Sequence, residues 1–355
     1  MKKVAILQPI IPHYREAFFQ TLRDRIFSDV YVYENSGVAE QSSFKIGEAK
    51  STNLYNKQIC GVLFYNIFPF LKRDYKTIVL MWHFAHFTTW VLLFTKIFHR
   101  KKIIIWGHGI SVKRYIKEEV TPDWKLKLML FLADGAWVYT DKEASIWRKH
   151  FHSKKIVALN NTVSSVESIL NVEVLSKEKL KCKYNITQST ILIFCARFES
   201  AYRRVDLLEA TLKRVNSENI GLIIIGSGKY KPDFSQYSNV YDFGAVYDQS
   251  LKHELFTIAD IYFQPGWVGL SIVEAMAYAL PITTFSRSED TFQCVEYSYI
   301  KDGVNGVIFH SLEQCVEFFN TVSETQIHDM GLNAKSYVKS NLLINNMTNN
   351  AISIL

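Results

Sequence analysis

The chain has 355 residues, of which 48% are hydrophobic and 21% are charged. This length exceeds one ordinary hydrophobic core and suits two domains of usual size. The low contents of proline and glycine, with no repeat or low-complexity tract, exclude a fibrous or largely disordered protein. Five widely spaced cysteines without a Cys-x-x-Cys pair favour reduced thiols in a cytoplasmic protein over a disulfide framework or a zinc site.

Short apolar runs alternate with helix-length segments along the first half of the chain. Such runs are typical of strands in a parallel sheet that is covered by helices on both faces. The N-terminal run is followed by prolines and by HYREAFF, so we interpret it as a strand and not as a signal peptide. We predict six strands here: KKVAILQP, SDVYVYE, KTIVLMW, KKIIIWGH, GAWVYT and KKIVALNN.

The segment 77–95, TIVLMWHFAHFTTWVLLFT, is apolar enough to raise the question of a membrane span. It has no formal charge, but His83 and His86 lie at its middle. Its β-branched start is typical of a buried strand that ends in a polar loop. We therefore predict a strand, a loop and a helix in this segment.

A polar stretch at 160–187 separates the first series of strands from a second one. We predict domains over 1–165 and 166–339, with 340–355 packing back on the first. Residues 1–165 contain 25 Lys+Arg and 13 Asp+Glu, a net charge of +12; the remainder contains 16 and 21, a net charge of −5. The basic first half is expected to contact an anionic partner, and a membrane surface fits better than nucleic acid, for which no binding fold is recognisable.

Six further strands are predicted in the second half, and three are followed by glycine-bearing turns. Gly226, Gly244, and the pair Gly266 and Gly269 would meet at the carboxyl edge of a parallel sheet, where α/β folds bind ligands. The first domain has no G-x-G-x-x-G after its first strand, so a dinucleotide cofactor is not expected there. The six strands are STILIFCARF, IGLIIIGSG, NVYDFGAV, ADIYFQPG, LPITTFS and NGVIFH.

The helix that follows Gly269 is a candidate anion site. The first backbone N–H groups, from Gly269, Leu270 and Ser271, have no acceptor within a helix and suit a diphosphate. Glu274 lies one turn further in, where it could accept hydrogen bonds from a ribose diol. A carboxylate that only complements the helix dipole is the alternative interpretation.

Three arginines follow the first strand of the second domain in CARFESAYRRVDLLEA. An arginine directly after a buried strand is unfavourable unless an anion meets it, and a guanidinium suits phosphate oxygens. Arg197, Arg203 and Arg204 are therefore candidate diphosphate contacts. A solvated loop is the alternative, and it is more plausible for Arg203 or Arg204 than for Arg197.

The second half resembles the retaining GT-B nucleotide-sugar glycosyltransferases of family 4. ILIFCARFESAYRRVDLLEA is similar to the family's strand, Gly-Arg-Leu, loop, Lys-Gly and helix. ADIYFQPGWVGLSIVEAMAYALPITTF is similar to its Pro-Ser, Glu-Gly-Phe-Gly-Leu and Glu-Ala-Met-Ala-x-Gly-x-Pro block, and EYSYIKDGVNGVIF to its Glu-Tyr-Ile-Lys-Asp-Gly-x-Asn-Gly. The resemblance covers about 190–309 and implies two Rossmann-like doubly wound parallel-sheet domains that face a central cleft.

The resemblance also implies roles for individual residues. Arg197 and Arg203 match the family's two basic diphosphate residues, Glu274 its ribose glutamate, and His108, in IIIWGHGI, a histidine near the donor sugar. With Arg197 and Arg203, His108 forms the predicted catalytic set; a cleft histidine that only donates hydrogen bonds is the equal alternative. The other predicted donor-site residues are Arg204, Gly226, Val246, Gly266, Trp267, Val268, Gly269 and Leu270, and Tyr14, Arg15 and His83 are predicted on the acceptor side.

Two departures from the family pattern matter for the predicted contacts. The first glutamate of E-x7-E, which contacts the donor sugar in the family, is replaced by Gly266. The glycine of Lys-Gly is replaced by Arg204. These departures bear on donor identity and on activity, but not on the diphosphate and ribose contacts.

The sequence thus predicts a retaining hexosyl-type transferase with no cofactor or metal, which uses a nucleotide-diphosphate sugar as donor. The acceptor is expected to be a lipid-linked saccharide in surface polysaccharide synthesis, and the protein to lie on the inner face of the cell membrane. Two alternatives remain: an inactive GT-B subunit that binds nucleotide or a partner, and a nucleotide-sugar epimerase.

Overall fold

The computed structural model describes residues 3–34, 49–173 and 175–355. The chain divides into two compact units, one of Met1–Ser164 with Leu342–Leu355 and one of Ser165–Asn341. The sequence analysis placed the corresponding limits after residues 165 and 339.

The first unit is built on a parallel sheet in the order β3-β2-β1-β6-β7-β8-β9. A separate antiparallel hairpin, β4-β5, is inserted before β6. Buried aliphatic runs such as the three isoleucines of β7 explain why these strands are covered on both faces. The strands are β1 (Lys3–Gln8), β2 (Ser28–Val32), β3 (Thr52–Asn53), β4 (Asn56–Ile59), β5 (Val62–Tyr65), β6 (Tyr75–Met81), β7 (Lys102–Trp106), β8 (Gly135–Val138) and β9 (Lys155–Ala158).

Helices connect these strands and supply the rest of the core. A 3₁₀ turn, His13–Arg15, leads into the first of them. The helices are α1 (Glu16–Arg25), α2 (Phe68–Leu71), α3 (Phe87–Phe94), α4 (Lys96–His99), α5 (Tyr115–Val120), α6 (Trp124–Leu132) and α7 (Asp141–His150). The segment 77–95 is therefore strand, loop and helix, as predicted. Among the residues described, no helix combines the length and the apolar character that crossing a bilayer requires.

The second unit has a six-stranded parallel sheet in the order β12-β11-β10-β13-β14-β15. Its strands are β10 (Thr190–Cys195), β11 (Ile220–Ile225), β12 (Val240–Asp242), β13 (Ile261–Phe263), β14 (Ile282–Phe285) and β15 (Gly306–Phe309). Its helices are α8 (Val166–Leu170), α9 (Lys177–Lys183), α10 (Val205–Leu212), α11 (Gln249–Ile258), α12 (Ser271–Ala277), α13 (Leu312–Thr321) and α14 (Glu324–Asn341).

The last helix, α15 (Ile344–Ile352), belongs to the first unit and packs against α1. Arg25 anchors it by donating hydrogen bonds to Asn349 Oδ1 at 2.5 Å and Asn345 Oδ1 at 2.6 Å. Thr162 Oγ1 donates to the Leu342 carbonyl at 2.5 Å just before the helix begins. The C-terminal segment thus completes the fold of the first unit.

All twelve predicted strands are present, and two α/β units with parallel sheets confirm the predicted fold class. In the second sheet the strand order reverses between β10 and β13, where Ile193 pairs with Tyr262. Loops diverge at such a switch point and leave a crevice at the carboxyl ends of the strands. The candidate site residues of the second unit lie on the loops that leave this edge.

Candidate functional site

The glycine-bearing turns meet at the carboxyl edge of the second sheet. Gly226 N donates to the Gly244 carbonyl at 2.7 Å, and Phe198 N donates to the Ser227 carbonyl at 2.9 Å. A Cβ at Gly226 would lie 2.0 Å from the Ala196 carbonyl oxygen. Only glycine permits this approach of the β11 turn to the β10 turn.

The loop after β13 is fixed from beneath by two buried glutamines. Gln264 Nε2 donates to the carbonyls of Gly266, at 3.0 Å, and Trp267, at 2.7 Å. Gln293 Oε1 accepts from Val268 N at 2.7 Å. The Trp267 indole stacks on Tyr202, with ring centroids 4.9 Å apart. The loop that leads into α12 is therefore preorganised.

Gly266 stands where the family pattern has its first glutamate, and the structure shows why no side chain fits there. A Cβ at this position would lie 2.5 Å from the Tyr202 carbonyl oxygen and 2.8 Å from Arg204 Cγ. The backbone of the arginine-bearing turn occupies the space. The position of the arginine-bearing turn therefore excludes a glutamate side chain at residue 266.

Three positions that are glycine in the family pattern carry a different residue in this chain, yet each keeps the left-handed backbone conformation that favours glycine. The φ angles are +53° at Arg204, +54° at Trp267 and +62° at Ala279. A residue with a Cβ is strained in this region by roughly 1–2 kcal/mol relative to right-handed backbone. The chain retains the backbone conformation and tolerates its strain.

The start of α12 offers backbone donors. Within the described part of the chain, the N–H groups of Gly269, Leu270 and Ser271 have no hydrogen-bond acceptor. Gly269 has open space around it, since the nearest atom to a Cβ there is Cys294 Sγ at 3.8 Å. Val246 is half-buried in the loop between β12 and α11.

Arg203 is a partly buried cation at the end of a 3₁₀ turn, Ala201–Arg203, that follows β10. Its Nη1 donates to the Trp267 carbonyl at 2.8 Å, and no carboxylate of the described chain forms an ion pair with it. Burial lowers its pKa, and neighbouring Arg197 lowers it further. A cation in this setting is stabilised by an anion that enters the site.

The other two arginines lie in different surroundings. Arg197 is exposed, whereas Arg203 is partly buried, because the 3₁₀ turn folds Arg203 under the α12 loop. Arg204 pairs with Asp206 at 2.7 Å and donates to Thr291. The Arg204 guanidinium is therefore already held by a carboxylate.

Glu274, on α12, is held by two side chains that the sequence analysis did not single out. Its Oε1 accepts from Ser165 Oγ at 2.7 Å, and its Oε2 accepts from Lys252 Nζ at 2.6 Å. Glu274 and Lys252 are 17% and 16% exposed. Burial opposes the charge of Lys252, but the Glu274 carboxylate outweighs it, so the pKa of Lys252 is raised.

Two cysteines line the same region. Burial raises the pKa of Cys195 to about 11 and that of Cys294 to about 12. Both thiols are protonated near neutral pH and are poor nucleophiles. The prominent groups of this site are therefore cations, backbone donors and one carboxylate.

In the first unit, Tyr14, Arg15 and His108 lie close to one another near the carboxyl ends of β1 and β7. Arg15 is buried and donates to Asn161 Oδ1 at 3.2 Å and to the Tyr139 hydroxyl at 3.4 Å. Its guanidinium lies 5.8 Å from the Tyr14 ring and 4.9 Å from the Tyr139 ring. The His108 ring packs on Tyr139, at 4.4 Å between centroids.

The His108 side chain reaches the surface, yet the surrounding protein and nearby Arg15 lower its pKa to about 4. The ring is therefore neutral at pH 7. His83 follows β6 and contacts different neighbours: its ring stacks on Phe84 at 5.2 Å and lies 4.9 Å from the His86 ring. Its Nδ1 accepts from Ala85 N at 3.2 Å.

Several residues that shape these sites carried no recognisable signal. In the sequence, Tyr139 and Asn161 look like ordinary residues at the ends of strands. Lys252 is one of several polar residues in QSLKHELF. A hint existed for Lys252, since Leu255 and Phe256 on the same helix are buried and imply that part of this helix faces inward. Its pairing with Glu274, 22 residues away, requires the fold.

Comparisons with known proteins agree with this architecture. A family model described as glycosyl transferases group 1 matches residues 189–324, less than half of the chain. No curated protein matches. The matched segment includes the β10 to β15 sheet and the arginine, glycine and Glu274 positions described above.

Solved glycosyltransferase structures are similar over the whole chain. The lipopolysaccharide outer core galactosyltransferase WaaB is 15% identical, with a TM-score of 0.68 and coverage of 99% of this chain and 100% of that one. Anabaena HepE, solved with UDP and glucose, is 13% identical, with a TM-score of 0.64 and 99% coverage of both chains. WaaG, a glycosyltransferase involved in lipopolysaccharide biosynthesis, is 16% identical, with a TM-score of 0.60 and 99% coverage of both. The chain has the GT-B glycosyltransferase fold.

Proposed function

We propose that the protein transfers a sugar from a nucleotide-diphosphate donor to a hydroxyl acceptor. The observation that carries the proposal is Arg203, a partly buried guanidinium without a carboxylate partner in the described chain. It lies at the switch point of the second sheet, where α/β folds bind ligands. The matched family segment and the GT-B fold support the same class of reaction.

The donor would lie along the carboxyl edge of the second sheet. Arg203, Arg197 and the N–H groups at the start of α12 are suited to the diphosphate. Glu274 is suited to the ribose diol: a carboxylate has about four acceptor positions, and Ser165 and Lys252 use two. Lys252 orients this carboxylate. Trp267 and Val268 would shape the sugar pocket beside Gly266.

The chemistry we propose is transfer with retention of the anomeric configuration and without a metal ion. Negative charge grows on the leaving diphosphate as the glycosidic bond to it breaks. Fixed cations and N–H groups stabilise that charge in the transition state. The acceptor hydroxyl would attack from the same face and give its proton to the leaving diphosphate. Neutral His108 would act as a hydrogen-bonding group near the sugar.

The acceptor we propose is a lipid-linked saccharide used in surface polysaccharide synthesis. The first 165 residues have a net charge of +12, which favours an acceptor presented with anionic phosphates or on an anionic surface. Tyr14, Arg15 and His83 are the residues we assign to the acceptor side. WaaB and WaaG, whose names refer to lipopolysaccharide, are relatives in fold that support this acceptor class.

A second candidate function is nucleotide binding without transfer. It is favoured by Gly266, where the Tyr202 carbonyl excludes the side chain that grips the donor sugar in the family pattern. Incubation with a panel of nucleotide sugars, with and without a lipid extract as acceptor, separates the possibilities. Acceptor-dependent release of nucleotide supports transfer, and release without acceptor supports an epimerase or a hydrolase. Nucleotide binding with no release supports the binding subunit.

A further inference from the structure

Helix α3 exposes large apolar side chains, although it also buries Leu92 and Leu93 in the core. Its threonines point inward: Thr88 Oγ1 donates to the Tyr65 carbonyl at 3.1 Å, and Thr89 Oγ1 lies 2.8 Å from the Tyr65 hydroxyl. Its large apolar side chains Phe87 and Phe94 point outward and are 50% and 58% exposed. A soluble surface helix normally places polar residues outside.

The apolar stripe continues beyond α3. Ile97 and Phe98 on α4 are 74% and 79% exposed. Helix α6 packs beside α3 and adds Trp124 and Phe131, which are 68% and 64% exposed and seven residues apart on one face. We call these six side chains the apolar face: Phe87, Phe94, Ile97, Phe98, Trp124 and Phe131. A cluster of this kind marks an interaction surface.

The charged side chains within the segments that carry the apolar face are all cations. Between 87 and 102, and between 124 and 133, the sequence contains six lysines and arginines and no aspartate or glutamate. Lys125 Nζ lies 4.8 Å from the Phe84 ring and 5.8 Å from the Trp124 ring, so its ammonium lies beside the aromatic side chains. Lysine next to tryptophan and phenylalanine is the composition of a surface that inserts at the lipid headgroup level.

Not every lysine of the basic first unit is available for such contacts. Lys96 forms an ion pair with Asp134 at 2.6 Å. Lys101 is buried and donates to the carbonyls of Lys72, at 2.6 Å, and Tyr75, at 2.7 Å. These two lysines are therefore engaged within the unit, and the other cations on or at the ends of helices α4 and α6 are Arg100, Lys125 and Lys127.

We propose that the apolar face docks on an anionic lipid bilayer and inserts its aromatic and aliphatic side chains among the headgroups. Docking accounts for the apolar character of segment 77–95. Its helix, α3, exposes large apolar side chains and is not long enough to cross a membrane. The proposal deepens the membrane part of the proposed function. Lipid binding does not depend on the proposed transfer, but its role, to bring the enzyme to a lipid-linked acceptor, rests on that function. The donor site plays no part in the docking.

Co-sedimentation with vesicles tests the proposal. The wild-type chain should bind vesicles that contain phosphatidylglycerol better than vesicles of phosphatidylcholine alone, and added salt should weaken the binding. The double variant Ile97→Ser with Phe98→Ser should lose about tenfold or more in partitioning, because two large apolar side chains no longer enter the lipid. The matched control is Leu332→Ser, which removes an exposed leucine from α14 in the second unit and should bind as wild type.

The proposal is overturned if the double variant binds vesicles as well as wild type. It is also overturned if the wild type fails to bind and instead forms a dimer that the double variant abolishes, as sizing chromatography would show. Calorimetric titration with nucleotide diphosphates should give the same affinity in the double variant. Vesicle binding without transfer activity would contradict the proposed function alone, whereas transfer to a soluble acceptor without vesicle binding would contradict this proposal alone.

Discussion

Arg15 and Arg203 occupy corresponding positions in the two units. Each is the last residue of a 3₁₀ turn between the first strand and the first following helix of its sheet. Arg15 donates hydrogen bonds to Asn161 and Tyr139, and its guanidinium lies 5.3 Å from the Trp106 ring. Arg203 donates a hydrogen bond to the Trp267 carbonyl.

The two arginines therefore have different surroundings at equivalent positions of two similar units, and we assign them different roles. The aromatic and amide neighbours of Arg15 stabilise its charge inside the first unit, and the charge also lowers the pKa of His108. Arg203 instead lies near Arg197 and contacts the loop that leads into α12, in a setting that gains from an added anion. The same turn therefore supports a cation held by aromatic and amide groups in one unit, which we assign to the acceptor side, and a candidate diphosphate-binding cation in the other.

The largest effect is expected for Arg203→Ala. Loss of a charge-assisted hydrogen bond to phosphate should remove about 1.5–3 kcal/mol of transition-state stabilisation, a fall of roughly tenfold to a hundredfold in kcat/KM. Arg197→Ala should also reduce transfer. Arg204→Ala is the matched control and should be milder, since that side chain is paired with Asp206. A larger loss with Arg204→Ala would show that the arginine assignment is misplaced.

Glu274→Ala should weaken binding of free nucleotide diphosphate and of the whole donor alike, each by roughly 1.5–3 kcal/mol. Lys252→Met should weaken the same two affinities by a smaller amount, because it removes the group that orients the carboxylate. Isothermal titration of each variant with nucleotide and with donor measures both. Unchanged nucleotide affinity in Glu274→Ala would leave only the helix-dipole interpretation of this residue.

Gly266→Ala should destabilise the second unit by about 1–3 kcal/mol, because its Cβ would collide with the Tyr202 carbonyl. Gly269→Ala is the control three residues away, where the nearest atom is 3.8 Å from the added carbon, and it should unfold close to the wild-type temperature. Thermal denaturation compares the two. Equal unfolding temperatures would contradict the steric account of the missing glutamate.

His108→Ala should lower turnover and leave nucleotide diphosphate affinity unchanged, because His108 belongs to the first unit and is assigned to the sugar rather than the nucleotide. A steady-state comparison of kcat together with a nucleotide titration would separate these effects. Wild-type turnover in the variant would remove His108 from the site.

The smallest effect is expected for Ala279→Gly, which should stabilise the protein by up to about 1 kcal/mol. Its φ of +62° is left-handed, and glycine relieves that strain. Ala277→Gly, within α12, should instead destabilise by about 1 kcal/mol. Chemical denaturation of the pair would show opposite signs, and destabilisation by both would contradict the strain at Ala279.

The strands of both sheets could be predicted because each is a continuous apolar run that a parallel sheet must bury. The edge strand Thr52–Asn53 and the hairpin strand Asn56–Ile59 could not, since they are short and largely exposed and carry no such pattern. Residues 35–48, which precede them, lie outside the described residues.

The candidate site was predictable where the chemistry lies in local sequence, as for the glycines after strands and the arginines after β10. It was not predictable where partners are distant in the chain, as for Ser165, Lys252 and Glu274. Local sequence also could not show which of Arg197 and Arg203 is buried, because that depends on how the 3₁₀ turn packs under the Trp267 loop.

Calorimetric titration of the wild-type protein and Arg203→Ala with UDP, GDP, ADP, CMP and dTDP tests the central claim most directly. The account predicts that the wild type binds at least one of the nucleoside diphosphates, and that Arg203→Ala loses roughly tenfold or more of that affinity while remaining folded. Failure of the wild type to bind any of the five, or an equal affinity in Arg203→Ala, would contradict it.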